Sequence, residues 1–390
     1  MLFAGGGGGN FLSASSVSPD TRERVDFFDG LRGWAAVAVL FSHIIGAYDG
    51  GLDIPTALYP LRLFFDGGLA VRIFFVLSGV VLSLSYWRRR NLDTLAGLAW
   101  RRPLRLGIPI FFSTIFIYEM LLGGLMCNLE AGKVLQLYYN FPPSLSDALD
   151  SIIGVLGWND ARYNAVLWTM TPEILGSYLV IILLLAQHSA AAKRNLVLAF
   201  RGKSWHWRVR LATLFIGLFA LLLLEKSPLM AAFVLGLFIA KFWVEASSST
   251  LVKIRQNRWA QIGIPLTVLV MYSWRVNFSD TKTVLLAAAI VFTAVSVGRF
   301  NRFLQNRFSV WLGKISFPLY LVHWSLICSF QSYLLLVYPE YQTEWTVKAA
   351  IGAATVLLSF LAAVLFLPIE KFSIVAARKF SDWVLGKKKE

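Results

Sequence analysis

Residues 27–44 read FFDGLRGWAAVAVLFSHI. From Gly33 onward the stretch is apolar up to Ser42 and His43, and the candidate span 33–48 is close to the length a helix needs to cross a bilayer. Arg32 stands eleven residues before His43. Eleven steps of about 100° return a helix to nearly the same face, and at 1.5 Å per residue the two side chains are roughly 16 Å apart along the axis. A cation at one end of an apolar helix thus shares a face with an imidazole deep inside it. The pair reads in two ways: as a site for a long, thin substrate with an anionic head and a reactive tail, or as an interfacial anchor plus a histidine satisfied by a helix–helix hydrogen bond.

The rest of the chain follows the same solvent logic. Of its 390 residues, 57% are hydrophobic and only 15% charged, against about 25% charged in an ordinary soluble domain. Runs such as 211–224 and 349–367 would expose large apolar areas in water. The composition argues against disorder, a secreted miniprotein or a soluble enzyme. Further apolar stretches of spanning length occur at 66–87, 104–122, 166–186, 211–224, 228–244, 260–274, 283–298, 315–337 and 349–369. The expected fold is all-α, a polytopic membrane protein of about ten transmembrane helices with both termini cytoplasmic. Charge supports an even count: 29 of the 37 Lys and Arg then fall on the cytoplasmic side. The net charge of +15 therefore reads as basic loops beside anionic lipid, with no nucleic-acid partner.

Residues 1–26, with glycines at 5–9, are expected to form a flexible cytoplasmic tail without a removable signal peptide. Residues 27–372 form one helical membrane domain, and 373–390 a basic cytoplasmic tail. No internal repeat is evident. Cys127 and Cys328 cannot make a disulfide framework, their role is left open, and no Cys/His spacing suggests a metal.

An ionisable group inside the hydrocarbon is costly and defaults to a functional candidate. Two of the four histidines, His43 and His323, fall within spans; His188 and His206 lie in a basic loop and are expected to be solvated. Arg102 and Arg105, in WRRPLRLGIP, share a helix face at a spacing of three and could fork phosphates, although any basic residue in loop 88–105 also serves topology. Glu173, in LWTMTPEILGS, opens the fourth span from the outside, as a cap or as a group holding an acceptor hydroxyl. Asp29 and Ser78 are further candidates; Ser78-Gly79 also permits close packing. Glu370, in LPIEKF, pairs with a neighbouring lysine on the bland reading. The aromatics of loop 123–165 fit an interfacial belt or a contact with a sugar or lipid headgroup.

Taken in order, FFDGLRGWAAVAVLFSHI, IFFVLSG, RRPLRLGIP, LWTMTPEILGS, LGKISFPLYLVHWSL and LPIEKF resemble the motifs of acyltransferase family 3, the multi-pass transmembrane O-acyltransferases, and the Gly-Ser ending of the fourth resembles the fungal-type branch. The chain departs from the family pattern with Arg72 where many bacterial members carry Asp, with Pro172 before Glu173, and with no proline after Glu370-Lys371. No appended extracytoplasmic esterase-like domain is read either. The resemblance implies transfer of an acyl group, usually acetyl, from acyl-CoA to a hydroxyl of a sugar, lipid or secondary metabolite, with no tightly bound cofactor. By position it makes His43 catalytic together with Glu173, places Arg32, Arg102 and Arg105 at the CoA phosphates, and leaves His323 in support.

On this reading a neutral His43 imidazole is the general base for the acceptor hydroxyl, and direct transfer is preferred to an acyl-histidine intermediate. The rival reading is a multi-pass secondary transporter of a small anionic or amphipathic solute; a third is a non-catalytic membrane scaffold. Acceptor, acyl chain length, organelle and oligomeric state are not legible in the sequence.

Overall fold

The computed structural model describes residues 25–48, 62–198, 225–246, 248–273 and 279–386. Among these the architecture is all-α. In chain order the helices are α1 (Asp26–Gly46), α2 (Gly67–Arg89), α3 (Leu92–Leu122), α4 (Asn128–Ala131), α5 (Leu145–Gly157), α6 (Met170–Leu198) and α7 (Pro228–Glu245). They continue as α8 (Ser248–Gln256), α9 (Arg258–Ser273), α10 (Asp280–Ser296), α11 (Gly298–Leu304), α12 (Arg307–Leu326), α13 (Ser332–Val337) and α14 (Trp345–Val384). A π-helical turn, Ile327–Gln331, joins α12 to α13.

Seven segments among the described residues are long and apolar enough to cross a membrane: α1, α2, α3, Ala165–Ser189, α7, Arg307–Val337 and α14. The pair α10–α11, bent by 93°, would make an eighth if it counts as one span. The expected span 211–224 lies outside the described residues. The one expected at 260–274 falls on α9, a helix of 16 residues broken by Pro265, short of the roughly 20 a bilayer asks for. The outward faces suit hydrocarbon: Leu357 and Leu365 on α14 are both 71% exposed, which water would penalise and lipid does not.

Two glycine contacts position the site. Gly79 on α2 and Gly236 on α7 each face the other helix's backbone so closely that a Cβ would meet a carbonyl, at Phe233 and Val76 respectively. Small residues allow this approach where no hydrophobic effect drives helices together. Gly33 and Gly313 bring α1 and α12 equally close, a Cβ meeting Leu312 Cβ and the Gly313 nitrogen at the first and the Asp29 carbonyl at the second. Along that second interface Trp34 Nε1 donates to Ser309 Oγ (3.0 Å), Arg32 to Gly313 O (3.2 Å) and Ser316 Oγ (3.0 Å), and Gln331 to Ile44 O (3.0 Å). The contacts broadly climb both helices together, so α1 and α12 run parallel.

The third span begins earlier than the hydropathy reading placed it. Asn91 caps α3, accepting the Thr94 N–H at 3.0 Å, and the helix runs without a break through Arg101, Arg102 and Arg105. The expected loop 88–105 is a turn at residues 90–91 between two long helices, closed by Arg90 in left-handed conformation (φ 51°). Arginines in mid-helix lower the local hydropathy, and the pattern alone hides the turns they belong to.

Candidate functional site

Six of the helices converge on a cavity of about 140 Å³. The first turns of α1 supply Phe28, Asp29 and Arg32; α2 supplies Ser78; α3 supplies Arg102 and Arg105; α6 supplies Glu173; and α12 supplies Ser316 and Tyr320. Glu370 of α14 lines it as well. The cavity thus gathers three arginines and three carboxylates between apolar walls of Val71, Phe74, Leu77 and Leu106.

Arg32, Arg102 and Arg105 come together, as the sequence reading expected, but two of them are held by the protein itself. Arg32 spans to α12 through Ser316 and Gly313 and pairs with Asp29 one turn earlier on α1 (3.2 Å). Arg102 pairs with Glu173 at 3.2 Å, both side chains buried. Ser78 Oγ donates to the same carboxylate oxygen at 2.5 Å. Ser78 thus holds Glu173 directly, while its neighbour Gly79 carries the close approach of α2 to α7. Glu173 sits in the first turn of α6, where the helix dipole favours an acid; Pro172 costs nothing there, because first-turn N–H groups lack intrahelical partners. Arg105 is exposed on the cavity wall.

His43 and His323 form a second group farther along the same two helices. Their rings stack with an interplanar angle of 8° and centroids 5.1 Å apart, and His43 Nδ1 lies 2.8 Å from His323 Nε2. His323 Nδ1 lies 2.9 Å from the Leu319 carbonyl oxygen. That oxygen can only accept, so the Nδ1–H of His323 donates to it, and a neutral His323 presents a bare Nε2. His43 must then donate from Nδ1, leaving the lone pair of its own Nε2 as the basic position. A backbone carbonyl thus sets the tautomers of both rings, much as a second-shell acceptor orients a catalytic or ligating imidazole. The edge of Trp324 covers His43 (centroids 5.1 Å), and Tyr138 of the loop 123–165 covers Trp324 (4.7 Å).

Neither histidine lines the arginine cavity. Tyr320 joins the two groups: it lines the cavity, and its ring is 5.9 Å from that of His323. Its hydroxyl donates to Val166 O (2.6 Å) and bonds Thr169 Oγ1 (2.8 Å), which fixes the ring between them. Sequence reasoning missed Tyr320, Ser316, Trp324 and Tyr138 as site residues. Two signals were present, the position of Tyr320 three residues before His323 and the proline-broken helix ISFPLY, but neither says which way a side chain points.

One peripheral expectation changes. His188 is not a solvated loop residue: it is half-buried on α6, with Nδ1 3.1 Å from the Tyr86 hydroxyl. His206 lies outside the described residues. Arg72, the departure in the second motif, pairs with Asp280 at the start of α10 (2.7 Å) and donates to Gly68 O. Among the described residues no group of three His, Cys, Asp or Glu side chains could hold a metal.

Residues 25–364 match the family model described as an acyltransferase domain. No curated protein and no solved structure matches the chain. Because that match covers most of the sequence, including both histidines, all three cavity arginines and Glu173, the chain belongs to acyltransferase family 3, whose members are enzymes that transfer acyl groups.

Proposed function

We propose that the protein transfers an acyl group, acetyl in the simplest case, from acyl-CoA to a hydroxyl of a sugar, lipid or secondary metabolite, with Nε2 of His43 as general base. One observation carries the reading: a cavity with three arginines shares the α1–α12 interface with a tautomer-fixed histidine pair. The arginines give binding energy at the phosphates, remote from the reacting carbon. Arg105, exposed on the wall, is the first to meet an incoming phosphate; Arg102 holds Glu173 in place. The pantetheine arm then runs along the face that Arg32 and His43 share, roughly 16 Å end to end.

At the far end the acceptor hydroxyl gives its proton to His43 Nε2 as its oxygen attacks the thioester carbon, and the C–S bond breaks to release CoA. Donor and acceptor held together gain from proximity. The apolar surroundings of Phe74, Trp324 and Tyr320 keep water from the thioester. Direct attack forms one C–O bond and breaks one C–S bond, with no acyl-enzyme to resolve.

The test is acetyl-CoA radiolabelled in the acetyl group, given to purified protein with a panel of sugar, sterol and other alcohol acceptors. Label transferred to an acceptor with release of free CoA supports the assignment. Saturable uptake of label into vesicles without transfer would point to transport instead. The acceptor itself is best sought among metabolites and glycans of a deletion strain, as species lacking one acetyl.

A further inference from the structure

Cys127 and Cys328 take no part in the chemistry above, yet the fold brings them together. The backbone N–H of Cys127, which precedes α4, donates to the Cys328 carbonyl at 3.1 Å. Standard bond lengths then hold the two Cα atoms within about 7 Å of each other, against roughly 4.4–6.8 Å in disulfides. Cys328 lies in the π-helical turn, a distortion that widens a helix locally. The segment that follows Cys127 is pinned onto the same turn. Asn128 Nδ2 donates to Leu135 O (2.9 Å) and Tyr138 O (2.7 Å), and Tyr138 rests on Trp324 one turn before Cys328. Both thiols are free, Cys127 half-buried and Cys328 fully buried. The Cys127 sulfur rests 3.9 Å from the Leu125 carbonyl, so rotation about one side-chain bond redirects it.

We infer that Cys127 and Cys328 are a redox pair that closes into a disulfide, tying the loop 123–165 to α12 beside the histidine pair. Such bonds form where a protein face meets an oxidising compartment, and this loop is the one the charge pattern puts outside the cytoplasm. The oxidant is a low-molecular-weight disulfide such as glutathione disulfide. The more exposed Cys127 thiolate attacks one of its sulfurs and releases one glutathione thiolate; Cys328 then attacks the Cys127 sulfur of the mixed disulfide and releases the second. One S–S bond forms and one breaks, the two cysteine thiols are oxidised and glutathione disulfide is reduced, and both thiol protons leave on the two glutathiones. The product holds Tyr138 over Trp324, and Trp324 over His43, by a covalent bond. The pair stands whether or not acetyl is the group transferred.

The experiment is to treat the full-length protein in detergent with glutathione disulfide, block remaining thiols with N-ethylmaleimide under denaturing conditions, digest, and weigh the peptides. The expected result is a linked peptide pair containing Cys127 and Cys328, lighter by two hydrogens than its reduced halves and lost after dithiothreitol. Cys328→Ser should instead leave glutathione on Cys127, which shows that the attacking thiol is reached in a folded variant. Maleimide on both cysteines of the wild type, or glutathione on Cys127 with maleimide on Cys328, would overturn the inference.

Discussion

His43 carries its two ring nitrogens in different circumstances: Nδ1 is committed to His323, and Nε2 is the lone pair left over. If the proposed base is this nitrogen, His43→Ala should lower kcat by about 10²–10⁴-fold, the usual worth of a positioned base, while CoA binding measured by equilibrium dialysis survives. On the same proposal His323 acts through His43, so its conservative variant should discriminate. Gln at 323 can still accept from Nδ1–H, and His323→Gln should keep more activity than His323→Ala, with KM for the donor unchanged in both. Equal losses would reduce His323 to packing. The arginines separate in the same way. Removing Arg102 breaks the buried ion pair and leaves the Glu173 carboxylate with the Ser78 hydrogen bond, which costs about 3–5 kcal/mol; Arg102→Ala should therefore unfold at a lower temperature, and Glu173→Gln should restore part of the loss. Arg105→Ala, on an exposed position, should leave the unfolding temperature alone and raise the KM for acyl-CoA.

At the scale of the helix, hydropathy read the spans from composition but could not read their ends. The first apolar stretch, 33–48, caught most of α1 but began seven residues late, because the charged residues of Asp26–Gly46 fall in its first two turns and leave the rest apolar. The same rule cut α3 short by twelve residues, since Arg101, Arg102 and Arg105 read as loop although partners on other helices make them tolerable there: Asp382 lies 3.4 Å from Arg101, and Glu173 binds Arg102. A carboxylate supplied across a helix interface is invisible to a window that slides along one chain. Packing was legible only where glycine announced it. Gly79, beside Ser78, carries the approach of α2 to α7, and a Cβ there meets the Phe233 carbonyl. Overpacking of this kind costs about 1–3 kcal/mol. Gly79→Ala should lower the detergent-solubilised unfolding temperature and, by moving Ser78 off Glu173, reduce activity as well; Gly46→Ala, where nothing lies within 4 Å, should change neither.

Across the whole molecule, the ionisable residues singled out in the sequence come together in two groups, a division that the sequence does not show. Arg32 and His43 share a helix face, which the spacing foretells, yet the cavity that receives Arg32 ends at Tyr320 and the histidines lie beyond it. Periodicity locates a residue on its own helix; where the space between helices opens and closes depends on side chains far apart in sequence, such as Thr169, in the turn just before α6, and Tyr320 of α12, which are 151 positions apart. If the donor is the proposed thioester, that closure has a consequence. A reactive donor is protected from hydrolysis only while its path to the base stays dry, and Tyr320, pinned by Val166 and Thr169, is the ring that stands between the cavity and His323. Tyr320→Phe keeps the ring and loses only its hydroxyl contacts, so acceptor-dependent transfer should persist with a modest rise in hydrolysis. Tyr320→Ala removes the ring and lets water follow the donor. It should release free CoA from acetyl-CoA without acceptor, severalfold faster than wild type in a thiol-release assay, and that release should vanish when His43→Ala is added, because the same base that activates a hydroxyl would activate water. Hydrolysis unchanged by the loss of the ring would mean that the donor reaches the histidines by another route.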